Sequence, residues 1–482
     1  MNDMIFRTRC LLLLLTLTSM SLFAQQKQVD QIIGREMKER RIPGLQIAVV
    51  HHGKIVASNA YGIANLSDNI PVNSSTIFAI NSCTKPFTGV AIMQLVEEGK
   101  IDLSAPVSRY IDSLPANWQT ITIRQLLTHV SGLPDVLRQF LPTNGLGNAT
   151  EEDVWTKLQT LPMDFPTGTQ TLYNQTNYVL LAKIIDKLSG QPFTQFYKDR
   201  QWDRVGMPNT GYGDSRDVVP HFAPTYRYVQ YQDGKKLDRE KMAANYAEFP
   251  PFSRAGSGMN STAEDIAKWT IALMQGKLFK NKATLDTMWT VGRYNNGKPG
   301  PWALGWGIVK NRTKHKAIGM SGGGRAAFLV YPEDELAVIV LTNLGGGTPE
   351  DFIEEIADCY VPGIAAADPV TFLRTNIEKQ GYEKAITLLN TRKKADPTFQ
   401  PDENALNDWA YRLMSKGKDK EAEAIFRLNT VLFPDSWNVY DSYGEVLLKM
   451  GDKAGAIKAY QKSITLNPDN EYGKKVLEGI TK

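Results

Sequence analysis

AINSCTKPFTG, residues 79–89, sets Ser82 three residues ahead of Lys85 and places that lysine directly before Pro86. Side chains three apart share a helix face, so the Lys85 amine can reach the Ser82 hydroxyl if Ser82 caps a helix here. The first amides of that helix would face developing negative charge. Pro86 fits the first turn, where amides lack intrahelical acceptors. A lysine amine near its ordinary pKa is protonated at neutral pH, so it must be desolvated or set beside other cations to act as a base. The bland reading is an ordinary serine at a helix start. Ser-x-x-Lys recurs at Ser415 and Lys418 in a stretch that reads as purely structural, so the tetrapeptide decides nothing without its surroundings.

Those surroundings are a chain of 482 residues, enough for two or three domains, with 42% hydrophobic and 10% aromatic content to build cores. Lys and Arg number 55 against 51 Asp and Glu; the net charge of +4 comes without a long basic run, which argues against nucleic-acid binding. Residues 1–24 read as a signal peptide. Arg7 and Arg9 precede an apolar stretch from Leu11 to Leu22, and LFAQQ offers Ala24 before a cleavage point. A short membrane anchor is the alternative, but the run falls below the ~20 residues a span needs. The expectation is an exported protein, periplasmic or secreted, with no stable membrane span after signal removal. Cys10 precedes the apolar run and is not placed for lipid attachment. Cys83 and Cys359 then remain, too few for a disulfide framework; Cys83 points to another helix face than Ser82 and reads as packing.

Beyond the signal, DQIIGREMKERRI has helical spacing, and GLQIAVVHHGKIVASNAYG gives two strand-like runs around a His-His-Gly turn. The stretch from Ser82 to about residue 290 reads as helical pieces and polar loops; in STAEDIAKWTIALMQ, Ser261 and Glu264 suggest a capping box. Strands return in WALGWGIV, RAAFLVY and LAVIVLTN, the last two joined by PEDE. This pattern predicts an α/β (α+β) domain over 25–362, its antiparallel sheet built from both ends and flanked by helices, with a helical insertion. From about residue 366 the chain reads as helices alone. Ala422, Phe426 and Pro434 recur at Ala456, Tyr460 and Pro468, Gly417 at Gly451 and Trp409 at Tyr443, each 34 residues on. That period resembles tetratricopeptide repeats, a second domain over 366–482 that could hold a protein or peptide partner. A further, degenerate unit is placed around GYEKAITLLN. So few repeats bury little core alone, which leads to the expectation that they dock on the preceding domain.

IPGLQIAVVHHGKIVASNAYGIANL, SCTKPFTGVAIMQLVEEGKIDLSAPVSRYI, IRQLLTHVSGLP, YNQTNYVLLAKIIDKLSGQPF, GSGMNSTAEDIAKW and SGGG…YPEDELAVIVLTN follow one another in this order. Together they resemble the serine β-lactamase-like family of class C β-lactamases, DD-peptidases and related esterases, from about residue 28 to 345. In that family Ser-x-x-Lys, Tyr-x-Asn and a strand bearing Lys or His, a small residue and Gly meet at one site. The resemblance makes Ser82 the nucleophile, Lys85 its base partner, and Tyr173 the proton shuttle to the leaving group, where a core tyrosine is the bland reading. Gln175 stands where Asn is usual. GMSGG puts Met320 in place of Lys or His, while Ser321 and Gly322 fit; an oxyanion hole from the amides of Ser82 and Gly323 needs only backbone. The family's Lys or His can face a substrate carboxylate. Methionine has neither charge nor donor, so neutral esters and amides are expected over β-lactams and D-alanyl peptides, unless nearby Arg325 supplies the cation.

His129, in LTHVSG, lies in a block the family uses structurally and reads as scaffold. The five histidines show no metal-ligand spacing, and the glycine triplets at 322 and 345 lack the Gly-Lys-Ser/Thr of a phosphate loop, so no metal or cofactor is implied. Two functions stay open at this point. One is an exported serine hydrolase forming an acyl-enzyme on Ser82 with small esters, amides or peptides. The other is a catalytically inactive fold of the same family, a binding module acting with the repeats; Gln175 and Met320 favour it.

Overall fold

The computed structural model describes residues 25–140, 150–232 and 235–481. The signal-peptide stretch, 1–24, lies outside the described residues. Among those described, no helix is long and apolar enough to cross a membrane. The chain divides into two compact units, one ending at Pro362 and one running Gly363–Lys482.

The first unit opens with helix α1 over 25–40. Strands β1 (Gly44–His51) and β2 (Lys54–Asn65) follow as an antiparallel hairpin. The turn between them is His52–Gly53, both residues at positive φ (49° and 71°), the backbone that a two-residue hairpin loop requires. A short β3 (Ile70–Pro71) edges the sheet. The remaining strands come from the far end of the unit: β4 (Ile308–Lys310), β5 (Ala317–Gly322), β6 (Ala326–Tyr331) and β7 (Leu336–Thr342). The order across the sheet is β3-β2-β1-β7-β6-β5-β4, with β1 paired to β7 from Leu45↔Thr342 to His51↔Leu336. Both ends of the domain therefore meet at the centre of one antiparallel sheet, as its alternating blocks suggest. β6 and β7 are buried throughout, which explains why AAFLVY and LAVIVLT read as unbroken apolar runs.

Between the two halves of the sheet lies the helical insertion. Helix α2 (Lys85–Glu97) is buried from Lys85 to Leu95, as expected of a helix apolar on every side. It packs on α3 (Thr176–Ser189), while α4 (Ala263–Met274) covers β1 and β7. Two local expectations need correction. WALGWGIV yields only the short β4, because Gly305 sits at φ 90° and turns the chain out of the ladder; Gly305 and Gly89 thereby let Leu304–Gly305 lie against the backbone of α2. The cap of α4 is Thr262, not Ser261. Thr262 is extended (φ −102°, ψ 158°) and its hydroxyl accepts from the Asp265 amide at 3.2 Å, whereas Ser261 ends a strand and bonds Thr210.

The second unit is helical. Its pairs include Glu403–Ser415 with Asp419–Leu432 and Trp437–Lys449 with Lys453–Leu466. The repeating positions carry the packing: Ala422, Phe426, Ala456 and Tyr460 are buried, and Gly417 and Gly451 hold positive φ in the turns. Ser415, of the second Ser-x-x-Lys, bonds the Arg412 carbonyl at 2.9 Å at a helix end, a structural contact.

Candidate active site

Ser82 lies in a single 3-10 turn, Asn81–Thr84, that runs directly into α2. It does not cap the helix. Its hydroxyl instead faces the Tyr173 phenol at 2.5 Å. Lys85 begins α2 one turn later, with Pro86 in the first turn as expected. Asn81, just before Ser82, is held at φ 46°, a strained conformation of the kind that clusters at functional sites. Cys83 is buried, with its thiol pKa pushed well above the ordinary value by burial, so it acts as packing.

Lys85 is fully buried. Its Nζ donates to Gln175 Oε1 at 2.9 Å and to the Gly256 carbonyl at 2.7 Å, and stands 4.5 and 4.7 Å from the ring centres of Tyr173 and Tyr178. Among the described residues it has no hydrogen bond to Ser82. Burial lowers its pKa to about 7, against an opposing pull from Asp135. A neutral amine has two N–H groups and one lone pair. Gln175 and Gly256 occupy two N–H groups, so a neutral Lys85 keeps its lone pair free.

Tyr173 is 37% exposed, yet burial of its phenol pushes the pKa above the ordinary 10, with the Ser82 contact opposing. The phenol is thus protonated at neutral pH. His129 and Trp302 support the ring, with centres 4.8 and 5.6 Å away. His129 is buried and its Nδ1 accepts from the Asn174 amide at 3.0 Å; burial and the nearby Lys85 hold the imidazole neutral, in keeping with a scaffold role.

Two residues expected to meet substrate are placed elsewhere. Gln175 is buried: its Oε1 holds Lys85 and its Nε2 donates to the Ser253 carbonyl at 3.0 Å, so it positions the lysine instead of lining open space. Its extra methylene relative to Asn is accommodated by Gly256, where an added Cβ would fall on the Gln175 amide. Met320 is 4% exposed and packs in the apolar core beside Trp302 and Gly307, a place that a thioether fills at no polar cost. Ser321 is half-buried and Gly322 buried at the end of β5, and Gly323, just beyond it, is exposed.

β5 is brought against the serine turn by Gly322. A Cβ there would fall on the Ile80 carbonyl and lie 3.0 Å from the amide nitrogens of Ser82 and Cys83. The amides of Ser82 and Gly323 donate to no acceptor among the described residues, as an oxyanion hole needs. Gly322→Ala is therefore expected to cost about 1–3 kcal/mol of stability by overpacking and to separate the two amides. Thermal melting and ester turnover of the variant check this together.

A family model described as Beta-lactamase matches residues 29–358. The chain belongs to the Beta-lactamase family. A Tetratricopeptide repeat model matches residues 437–470 in the second unit. Penicillin-binding protein 4* of Bacillus subtilis is 28% identical over 60% of this chain, and Protein flp of Staphylococcus aureus 26% over 69%; in each case the match spans 66% of the relative, just under two thirds of its length. Among solved structures, an octameric penicillin-binding protein homologue from Pyrococcus abyssi aligns with TM-score 0.60 and 25% identity, covering 73% of this chain and 81% of that one. EstCE1, a hydrolase with promiscuous acyltransferase activity, aligns at 0.57 over 70% and 99%, and at 22% identity shows the shared fold alone.

Sequence reasoning missed the Gly256 carbonyl and Asp135. Gly256 opens the block GSGMNSTAEDIAKW, but a backbone acceptor leaves no residue-type signature.

Proposed function

We propose that this protein is an exported serine hydrolase that forms an acyl-enzyme on Ser82 with small esters, amides or peptides. The observation that carries the reading is a buried Lys85 with pKa near 7, its two hydrogen bonds made to Gln175 and the Gly256 carbonyl, beside a 2.5 Å Ser82–Tyr173 contact. In the proposed course, Ser82 Oγ attacks the carbonyl carbon and its proton passes to the Lys85 lone pair. The amides of Ser82 and Gly323 hold the oxyanion. As the tetrahedral species collapses, Tyr173 protonates the departing oxygen or nitrogen and is itself reprotonated from Lys85. Water then repeats the sequence on the acyl carbon and frees Ser82. Gln175 and Met320, the residues that favour an inactive binding module, take no group away from this cluster: one holds Lys85 and the other is core. The C-terminal repeats are proposed to hold a protein or peptide partner.

The pH profile tests the lysine. Only the free amine accepts the serine proton, so kcat/KM on a neutral ester is expected to rise with pH along a limb centred near 7. Below that limb it should fall by about tenfold per pH unit, as for one essential deprotonated group. A profile flat from acid to neutral pH would exclude Lys85 as the base.

A further inference from the structure

In the proposed course Lys85 receives the Ser82 proton, yet among the described residues no carboxylate pairs with its amine. The titratable groups that face it are Cys83, His129, Asp135, Tyr173 and Tyr178. Burial, first of all, keeps the Cys83 thiol and the His129 imidazole neutral. The acid among them, Asp135, is buried and committed elsewhere. Its Oδ1 accepts from the Leu137 amide at 2.9 Å and the Gln175 amide at 3.4 Å, and Oδ2 lies 3.6 Å from Arg138. Arg325, expected from sequence as a cation near the substrate, is 6% exposed; burial alone shifts its pKa, so it sets no charge against Lys85. The remaining groups are the two tyrosines, whose phenols burial keeps protonated.

Lys85 Nζ stands over both rings, 4.5 Å from the centre of Tyr173 and 4.7 Å from that of Tyr178. An ammonium over an aromatic face is attracted by the ring quadrupole, and more strongly where water is excluded. The two rings differ in what else they do. Tyr173 is partly exposed and commits its hydroxyl to Ser82, as a proton shuttle must. Tyr178 is fully buried on α3, and its hydroxyl has no partner among the described residues, so what it offers Lys85 is its ring face. His129 packs on both rings, with centres 4.8 and 5.4 Å away, and holds them in place. The strength of such a contact suits a base. A carboxylate at Nζ would favour the charged amine and leave it protonated at neutral pH. A ring face attracts the ammonium less than a full counter-charge does, so the proton is received and then passed on.

We propose that the ring face of Tyr178 holds Lys85 in its charged form, which makes Tyr178 a positioning residue acting through the lysine. Lys85 takes that form when its lone pair accepts the Ser82 proton, and leaves it when the proton passes to Tyr173. The role rests on the hydrolase reading of the same site. Weakening the negative face of the ring then destabilises the ammonium, and the amine loses its proton at lower pH.

The test reads the lysine without turnover. Full-length Ser82→Ala protein carries isotope-labelled lysine, and NMR follows the Lys85 titration, its signal identified by absence from Lys85→Ala. Tyr178 is left intact, changed to Tyr178→Phe, or replaced by monofluoro- or trifluorophenylalanine, which weaken the negative ring face at nearly constant volume. Tyr178→Phe keeps the face and should leave the midpoint in place. Its melting temperature should stay level or rise, because a buried hydroxyl without a partner is removed. The trifluorinated ring should lower the midpoint by about 1 pH, a tenfold loss of proton affinity, in the range of a desolvated cation–π contact. The monofluorinated ring should fall between. With Ser82 intact, the acid limb of kcat/KM on a neutral ester should move down in the same order. A midpoint that stays in place or rises on fluorination overturns the proposal. So does one lowered by Tyr178→Phe as much as by the fluorinated rings, which would trace the effect to the hydroxyl. Failure of the wild-type protein to acylate Ser82 would sink the hydrolase reading alone, since the NMR titration does not depend on turnover.

Discussion

Replacing Lys85 with alanine is expected to lower kcat/KM on a small neutral ester at least ~100-fold, the lower range for loss of a positioned base. The amine is the group in the cluster whose pKa lies near neutrality; the Tyr173 phenol is pushed up and the His129 imidazole well down. Lys85→Ala also strands two buried acceptors, Gln175 Oε1 and the Gly256 carbonyl, at about 1–3 kcal/mol each if water does not replace the amine. Lower activity could then reflect a loosened site. Small primary amines separate the effects: a base enters the vacated space and restores part of the rate, with a pH limb that follows the added amine's own pKa. Recovery of stability without recovery of rate would give Lys85 a structural role only.

Ser82→Ala should have the larger effect, taking turnover to the rate in buffer, because among the described residues no other nucleophile faces Tyr173. Cys83 is adjacent but buried, with its thiolate disfavoured. The fold should be spared. Ser82 is only half-buried, and its side-chain bond is to a partly exposed phenol that water can satisfy. The expected outcome is an unchanged melting temperature with no hydrolysis.

Much of this was legible in the chain. The His-His-Gly turn, the two buried runs after Gly324 and the 34-residue offset each map onto an element, because turn geometry, burial and repeat packing are set locally. The tetrapeptide at Ser82 fixed the spacing of nucleophile and amine, yet not the reason Lys85 can be neutral. That depends on complete burial and on a carbonyl that comes from residue 256, far along the sequence. Gln175 looked like damage to a motif for the same reason: its longer reach makes sense only beside Gly256, which has no side chain to obstruct it. The α4 cap moved by one residue because Ser261 is committed to a strand, a tertiary constraint that local pattern does not carry.

The most direct measurement is the site of covalent modification. The full-length protein is incubated with a fluorophosphonate, digested, and its peptides mapped by mass spectrometry. The account predicts one adduct, on Ser82, that is absent from Ser82→Ala and forms far more slowly in Lys85→Ala. A labelled residue other than Ser82, or ester turnover that persists undiminished in Ser82→Ala, would contradict it.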